Sequence, residues 1–370
     1  MTLRLRSPRF RSASPAEYPV PAHWAGRFPV PGHRTGRGGV AWDGGQAGQA
    51  LHPDTWDLPT STRLAPYLNW GQVLAELGRE HPEIVVLTAD LKHANRLTDF
   101  AQVHPDRFFN FGIAEKNMVS AAAGMAAAGL LPYAATYASF IGLLCAEQIR
   151  TDVCYPRLPV RILAHHAGIA MGFYGTSHHA TEDLAILRSF AEMTVFGTVD
   201  PHLAEAALKA SVSYPGPIYF RLGRGREKPV YDHPPADFAF GRAITKREGR
   251  DAAILATGLP LGAALEAAEI LAAEEGLSVR VIDVHTVKPI DVEAVLAAAS
   301  TRIVLTVEEH NILGGLGSAV AEVLAEAGAH CRFRRHGIRD EYALIGPPLA
   351  LYAHYGLDAA GIARVLRDLL

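Results

Sequence analysis

Cysteine is scarce in this chain: Cys145, Cys154 and Cys331 are the only three in 370 residues, and no two form a C-x-x-C pair. An odd count without that spacing argues against a disulfide framework and against zinc, which leaves the reduced thiols of a cytoplasmic protein as the plain reading. Long apolar runs are missing too, since none approaches the ~20 residues that a bilayer-spanning helix needs. There is no surplus of positive charge: 35 Lys and Arg stand against 38 Asp and Glu, a formal net charge of −3. Nothing here drives binding to nucleic acid. The glycines at 314, 315 and 317 lack the G-x-G-x-x-G spacing of a dinucleotide loop. What remains is a chain with 49% hydrophobic and 20% charged residues, long enough for two ordinary domains with a core each.

Residues 1–62 are rich in Pro, Gly and Arg and show no periodicity, so they read as an extension. Arg4, Arg6, Arg9 and Arg11 without an acid superficially suit a transit peptide, yet no amphipathic helix accompanies them. Order is expected from near Leu64, where Leu68, Val73, Leu74 and Leu77 recur at helical spacing. Short apolar runs of the buried-strand type follow at Ile84–Leu87, Val160–Ala164, Met193–Gly197 and Ile218–Leu222. Helical patterns separate them at Glu115–Ala128, Leu143–Cys154, Glu182–Phe190 and Leu203–Ala210. Strands alternating with helices imply parallel strands joined by right-handed crossovers. The proline-bearing stretch Pro229–Phe240 reads as a boundary, giving a first domain over 63–230 and a second over 241–370. In the second, runs at Ala252–Ala256, Val279–Val284 and Ile303–Val307 alternate with helices at Leu261–Glu275, Asp291–Ala299 and Gly317–Ala327, and Ala359–Leu370 closes the chain.

The segment Phe111-Gly112-Ile113-Ala114-Glu115-Lys116-Asn117-Met118 precedes a run of small residues from Ser120 to Gly129. Glu115 opens a helix, where the dipole favours a carboxylate, and the small residues let helix and sheet approach closely. Taken alone, this is an acid at a packed helix start. Tyr137 and Phe140, in Tyr133-Ala-Ala-Thr136-Tyr137-Ala-Ser-Phe140, suit a core as well as a site. His165, His166, His178 and His179 place four imidazoles within fifteen residues. Adjacent histidines diverge, and no Cys or Asp completes a set, so a metal centre is not expected. Arg221 falls at a strand's C-terminal end, the edge of an α/β sheet where ligands collect. Asp90 also follows a strand and could equally cap a helix.

Together these segments resemble the pyrimidine-binding domain of the transketolase family. His285-Thr-Val-Lys-Pro-Ile-Asp291 and Glu308-Glu-His310-Asn-Ile-Leu-Gly-Gly315-Leu-Gly extend the resemblance, which runs from about Leu64 to Leu370. The implied fold is α/β: two three-layer domains, a pyrimidine-binding fold followed by a transketolase C-terminal domain. The implied cofactor is thiamine diphosphate, with Glu115 on N1′ of its aminopyrimidine, supporting the tautomer whose 4′-imino group deprotonates the thiazolium C2. The resemblance makes Phe140 the ring that stacks on the pyrimidine and Tyr137 a second wall. It places Asp90 near the cofactor and the subunit interface. His166 corresponds to a histidine at the sugar phosphate and His178 to one facing the reacting carbons, where a neutral imidazole can exchange protons. His165 and His179 are expected to be structural. Arg221 corresponds to an arginine that clamps the substrate phosphate with its planar fork, and Tyr174 falls in the substrate loop.

Family members hold Mg²⁺ and the diphosphate through a Gly-Asp-Gly motif and a later Asn. Asp43-Gly44-Gly45 with Asn69 imitates that pair, but Pro53, Pro59 and the lack of a strand before Asp43 rule it out. The expectation is therefore a partner subunit carrying Mg²⁺ and the diphosphate, in an α2β2 heterotetramer, with no metal ligand on this chain. Phe173 and Tyr174 stand where most relatives have acids, one of which contacts a donor hydroxyl, and Ala94 stands in place of a phosphate-binding serine. A specialised donor is expected, within transfer of a two-carbon ketol unit from a phosphorylated or otherwise anionic ketose to an aldehyde. One alternative is the β-type subunit of a decarboxylating enzyme, as in 2-oxoacid dehydrogenases or deoxyxylulose phosphate synthase, which the retained His166 disfavours. A silent interaction protein is a second alternative, which intact Glu115 and Phe140 disfavour.

Overall fold

A computed structural model describes residues 70–224 and 229–370. The extension over 1–62, the expected start near Leu64 and the Asp43-Gly44-Gly45/Asn69 decoy lie outside the described residues. Helix α1 (Trp70–Glu80) leads into β1 (Ile84–Thr88), α2 (Thr98–Val103), β2 (Phe108–Asn110), α3 (Glu115–Ala127) and β3 (Leu131–Tyr137). The expected helix Leu143–Cys154 is instead wide-turned: π-helical turns at Phe140–Leu144 and Ile149–Cys154 flank one short α-helical turn, α4 (Ala146–Gln148). Widening a helix by one residue per turn re-aims side chains, and such turns recur at functional sites. Next come β4 (Arg161–His165), α5 (Asp183–Ser189), β5 (Thr194–Gly197), α6 (Pro201–Ser211) and β6 (Ile218–Arg221).

The second half contains β7 (Ile244–Arg247), β8 (Ala252–Thr257), α7 (Pro260–Glu275), β9 (Val279–Asp283) and β10 (Thr286–Lys288). It continues with α8 (Val292–Ala299), β11 (Ile303–Asn311), α9 (Leu316–Glu326), β12 (Arg332–Ile338), α10 (Pro348–His354) and α11 (Ala359–Arg367). The strands form a seven-stranded sheet, β10-β5-β6-β4-β3-β1-β2, and a five-stranded sheet, β12-β11-β8-β9-β7. Both match the expected α/β class. Strands β1, β4, β5, β6, β8 and the first part of β11 (Ile303–Val307) read as largely apolar runs because helices cover both faces of a parallel sheet. On one face of the first sheet, Met118, Val119 and Ala122 of α3 pack with Ile141, Ile149 and Leu184. On the other, Trp70 and Leu74 of α1 pack with Leu203 and Leu208 of α6.

The strand β10 crosses between the two halves. It belongs to the second by sequence but pairs antiparallel with β5 of the first sheet, Thr286 opposite Phe196. The proline-bearing segment before β7 is equally committed. Asp200 caps α6 by accepting from Leu203 N (2.9 Å) with one oxygen. Its other oxygen accepts from Val230 N and Tyr231 N, each at 2.7 Å. Phe238 and Phe240 then stack edge-on against Phe196, both at 5.7 Å.

Several ionisable groups are sealed in this frame. Burial lowers His165 to about 3, and Arg96 adds to it. Burial lowers His285 and His310 to about 4. The same cause raises Asp283 and Glu308 to about 7. Between about pH 4.5 and 6.5 the unfolded chain binds protons on the three histidines that the folded chain refuses. The two acids do the opposite, holding protons only when folded. Near pH 5, three against two leaves about one extra proton on the unfolded state, so stability falls there by on the order of 1 kcal/mol per pH unit of acidification. Urea midpoints at pH 5.5 and 4.5 should show that fall. Stability that rose on acidification would mean the acids outweigh the histidines.

Candidate active site

Parallel strands deliver their C-terminal ends to one edge of the first sheet, and the site grows from there. Tyr137 ends β3, His166 follows β4, Arg221 ends β6, and Asp90 lies two residues beyond β1. Glu115 is the first residue of α3 and is half-buried. Burial, with the Glu115 charge adding to it, pushes the Cys145 thiol up to about 12, and α3 shares a core with the segment that begins at Phe140 through Met118 and Ile141.

Tyr137 is the hub of a ring cluster. Its ring lies 5.6 Å from Phe140, 4.6 Å from His166 and 6.0 Å from His178. Phe140 meets His178 edge-on at 5.2 Å, and Tyr174 reaches His178 at 5.0 Å. The structure thus brings Tyr137, Phe140, His166, His178 and Tyr174 together. Partial burial lowers the pKa of His178, so its ring is neutral near pH 7. Its Nδ1 sits 2.9 Å from Ser177 Oγ. His166 leaves β4 with φ of 57°, a left-handed turn that costs a non-glycine residue on the order of 1 kcal/mol and is characteristic of functional loops. Phe173 and Tyr174 are exposed, 44% and 57%.

The remaining expected residues lie outside this ring cluster. Asp90 caps no helix: its N–H donates to Asn110 Oδ1 (2.9 Å) and its Oδ1 accepts from Asn110 Nδ2 (3.2 Å), tying β1 to β2. His165 is buried edge-on to Trp70 at 5.8 Å, and His179 Nε2 lies 3.2 Å from Gly172 O. Arg221 is buried and turned inward. Its Nε donates to Asp183 Oδ2 at 2.9 Å, and its Nη2 to Ala180 O and Glu309 O at 3.0 and 2.8 Å. Tyr219 OH donates to the same Asp183 oxygen at 2.8 Å. Sequence reasoning gave no role to Asp183, Glu309 or Tyr352, although the Glu308-Glu-His310 motif was visible. Glu309 Oε1 accepts from Ile169 N at 2.7 Å and from Tyr352 OH at 2.8 Å.

Residues 68–228 match the family model for the transketolase pyrimidine-binding domain, and residues 241–362 match the transketolase C-terminal domain. A Methanocaldococcus jannaschii protein described as a transketolase C-terminal section is 40% identical over 81% of this chain and 94% of its own length. One subunit of an apulose-4-phosphate transketolase from Phocaeicola vulgatus is 37% identical over 79% of this chain and 93% of its own. Among solved structures, a split-gene transketolase, described as an inactive β4 tetramer, is 42% identical and superposes with a TM-score of 0.74. That match covers 82% of this chain and 96% of that one.

Removing one half of a buried ion pair leaves the other charge without a counterion, which costs about 3–5 kcal/mol. Arg221→Ala should lower the unfolding free energy by that much, read from urea denaturation of the whole chain. A loss below about 1 kcal/mol would show that Asp183 does not depend on this guanidinium.

Proposed function

This chain belongs to the transketolase family, and we propose that it is the pyrimidine-binding subunit of a thiamine diphosphate-dependent enzyme that moves a two-carbon ketol unit from a ketose to an aldehyde. The observation that carries the reading is the ring cluster: Tyr137 and Phe140 with two imidazoles against the same rings, at the sheet edge where Glu115 opens α3.

These residues suit a flat heteroaromatic cofactor. Tyr137 and Phe140 offer tilted ring faces, and the Glu115 carboxylate can accept from a protonated ring nitrogen. Bound there, thiamine diphosphate would supply the carbon-acid chemistry needed to carry a two-carbon unit between carbonyl compounds. Glu115 holds a proton at the ring nitrogen it faces. His178 is neutral near pH 7, so it can accept or donate a proton at Nε2 while Ser177 engages Nδ1. His166 packs against the Tyr137 ring at 4.6 Å and is proposed to meet the donor's phosphate or other terminal anion. Asp90 is proposed to face the cofactor and the subunit boundary. Arg221, with Nε and Nη2 engaged by Asp183 and two carbonyls, is proposed as a brace beneath this edge instead of a substrate contact. Tyr174, stacked near His178, is proposed to line the donor channel beside Phe173. An aromatic wall discriminates among donor hydroxyls less than a carboxylate does.

The diphosphate and Mg²⁺ are assigned to a partner subunit, in a proposed α2β2 assembly. The naming of one relative as a single subunit of its transketolase and the description of the split-gene structure as an inactive β4 tetramer support this. Alone, the chain should show no ketol transfer, and turnover should appear on mixing with a diphosphate-binding subunit. Full activity from the isolated chain would end the two-subunit reading.

Glu115→Gln keeps shape and removes charge. A charge-assisted bond is worth about 1.5–3 kcal/mol, so turnover of the cofactor-saturated complex should fall tens to hundreds of fold with the fold intact. Wild-type turnover in that variant would remove Glu115 from the mechanism.

A further inference from the structure

We propose that Glu309 is the positioning residue for the histidine-bearing loop 166–181, so that the C-terminal domain sets the geometry of a site built on the other sheet. This rests on the reading that His166 and His178 serve the reaction.

The loop has little structure of its own. Between β4 and α5 it holds one 3₁₀ turn, Gly172–Tyr174, and one antiparallel bridge, Gly168 to Ala180. A buried backbone N–H must find an acceptor. For Ile169 the acceptor is not local: it is the Glu309 carboxylate on β11, 140 residues further along the chain, at 2.7 Å. That oxygen also accepts from Tyr352 OH of α10 at 2.8 Å. Glu309 is 1% exposed. A carboxylate taken that far from water costs several kcal/mol unless its bonds compensate, and these two bonds reach the loop and α10.

The fit is steric as well. Gly168 has φ of 65°, and a Cβ there would collide with the Glu309 carboxyl group. Position 168 therefore requires glycine twice over, for its backbone and for the acid that fills the side-chain space. Four residues on, a Cβ on Gly172 would strike Gly346 O and the Pro348 ring just before and at the start of α10. At the loop's far end Asn311 N donates to Thr181 O at 2.8 Å. Glu309 is itself pinned, its carbonyl accepting from Arg221 Nη2 at 2.8 Å. Two neighbouring pieces of the C-terminal domain, the end of β11 and the start of α10, thus hold the loop that carries its two functional histidines.

The test uses the full chain assembled with its diphosphate-binding subunit and saturated with thiamine diphosphate. In Glu309→Ala, amide hydrogen exchange across 168–181 should quicken about tenfold or more while β4 and β8 stay protected. kcat should fall about tenfold or more with cofactor half-saturation unchanged, because small displacements of reacting groups are costly. Glu309→Gln retains an acceptor for Ile169 N–H and should recover most of that turnover. Tyr352→Phe, the milder change, should move both readouts in the same direction by a few fold. Unchanged exchange over 168–181 in Glu309→Ala, or in Tyr352→Phe should the alanine variant not fold, overturns the proposal. So does a lowered melting temperature with kcat per folded site unaltered. His178→Ala, assayed alongside, tests the underlying reading separately: wild-type turnover there would remove the histidine's role, whereas exchange would still report the grip.

Discussion

One buried ion pair, Arg221 with Asp183, ties elements of both sheets together. Arg221 closes β6 at the edge where the site is built, and Asp183 opens α5 beneath the histidine loop. Each ion alone would be costly to bury. Together they are tolerated because Tyr219 adds a bond to the same Asp183 oxygen and two backbone carbonyls take the guanidinium's Nη2. One of those carbonyls belongs to Glu309 of the other sheet. His310 completes the surround, with Nε2 3.9 Å from the second Asp183 oxygen. The pair therefore fixes a strand end, a helix start and, through Glu309, a strand of the neighbouring domain at a single point.

That arrangement explains how much of the site could be read from sequence. The grouping of Tyr137, Phe140, His166 and His178 was legible because its members fall in short segments whose spacing survives folding. Arg221 was legible as a strand-end arginine, but not in its direction. Its partner is 38 residues away, and no pattern in sequence says whether a guanidinium turns outward to solvent or inward to a carboxylate. Glu309 and Tyr352 were still less accessible, since their meaning depends on how one domain packs on the other.

The fold divides along similar lines. Buried parallel strands such as β4 and β8 announce themselves as apolar runs, and helices such as α7 by their length and composition. The stretch from Phe140 to Cys154 has the composition of an ordinary helix, yet it winds with π turns around one short α turn. The deviation places Phe140 against the site while Ile141 and Ile149 enter the core, a compromise that tertiary packing imposes and local propensity cannot express. β10 escaped notice because three residues are too few to carry a period.

The crossing of β10 makes the two halves poor candidates for exchange or separate use. A piece ending before Thr286 would leave β5 with an open backbone edge on its Phe196 side, and β5 is buried along its whole length. Uncovered apolar edges recruit strands from other molecules. A recombination point placed in the proline-bearing stretch, which looks like a natural seam, would therefore yield a sticky fragment instead of a free-standing module. The smallest part of this chain that can be moved intact is one that keeps β5 and β10 together.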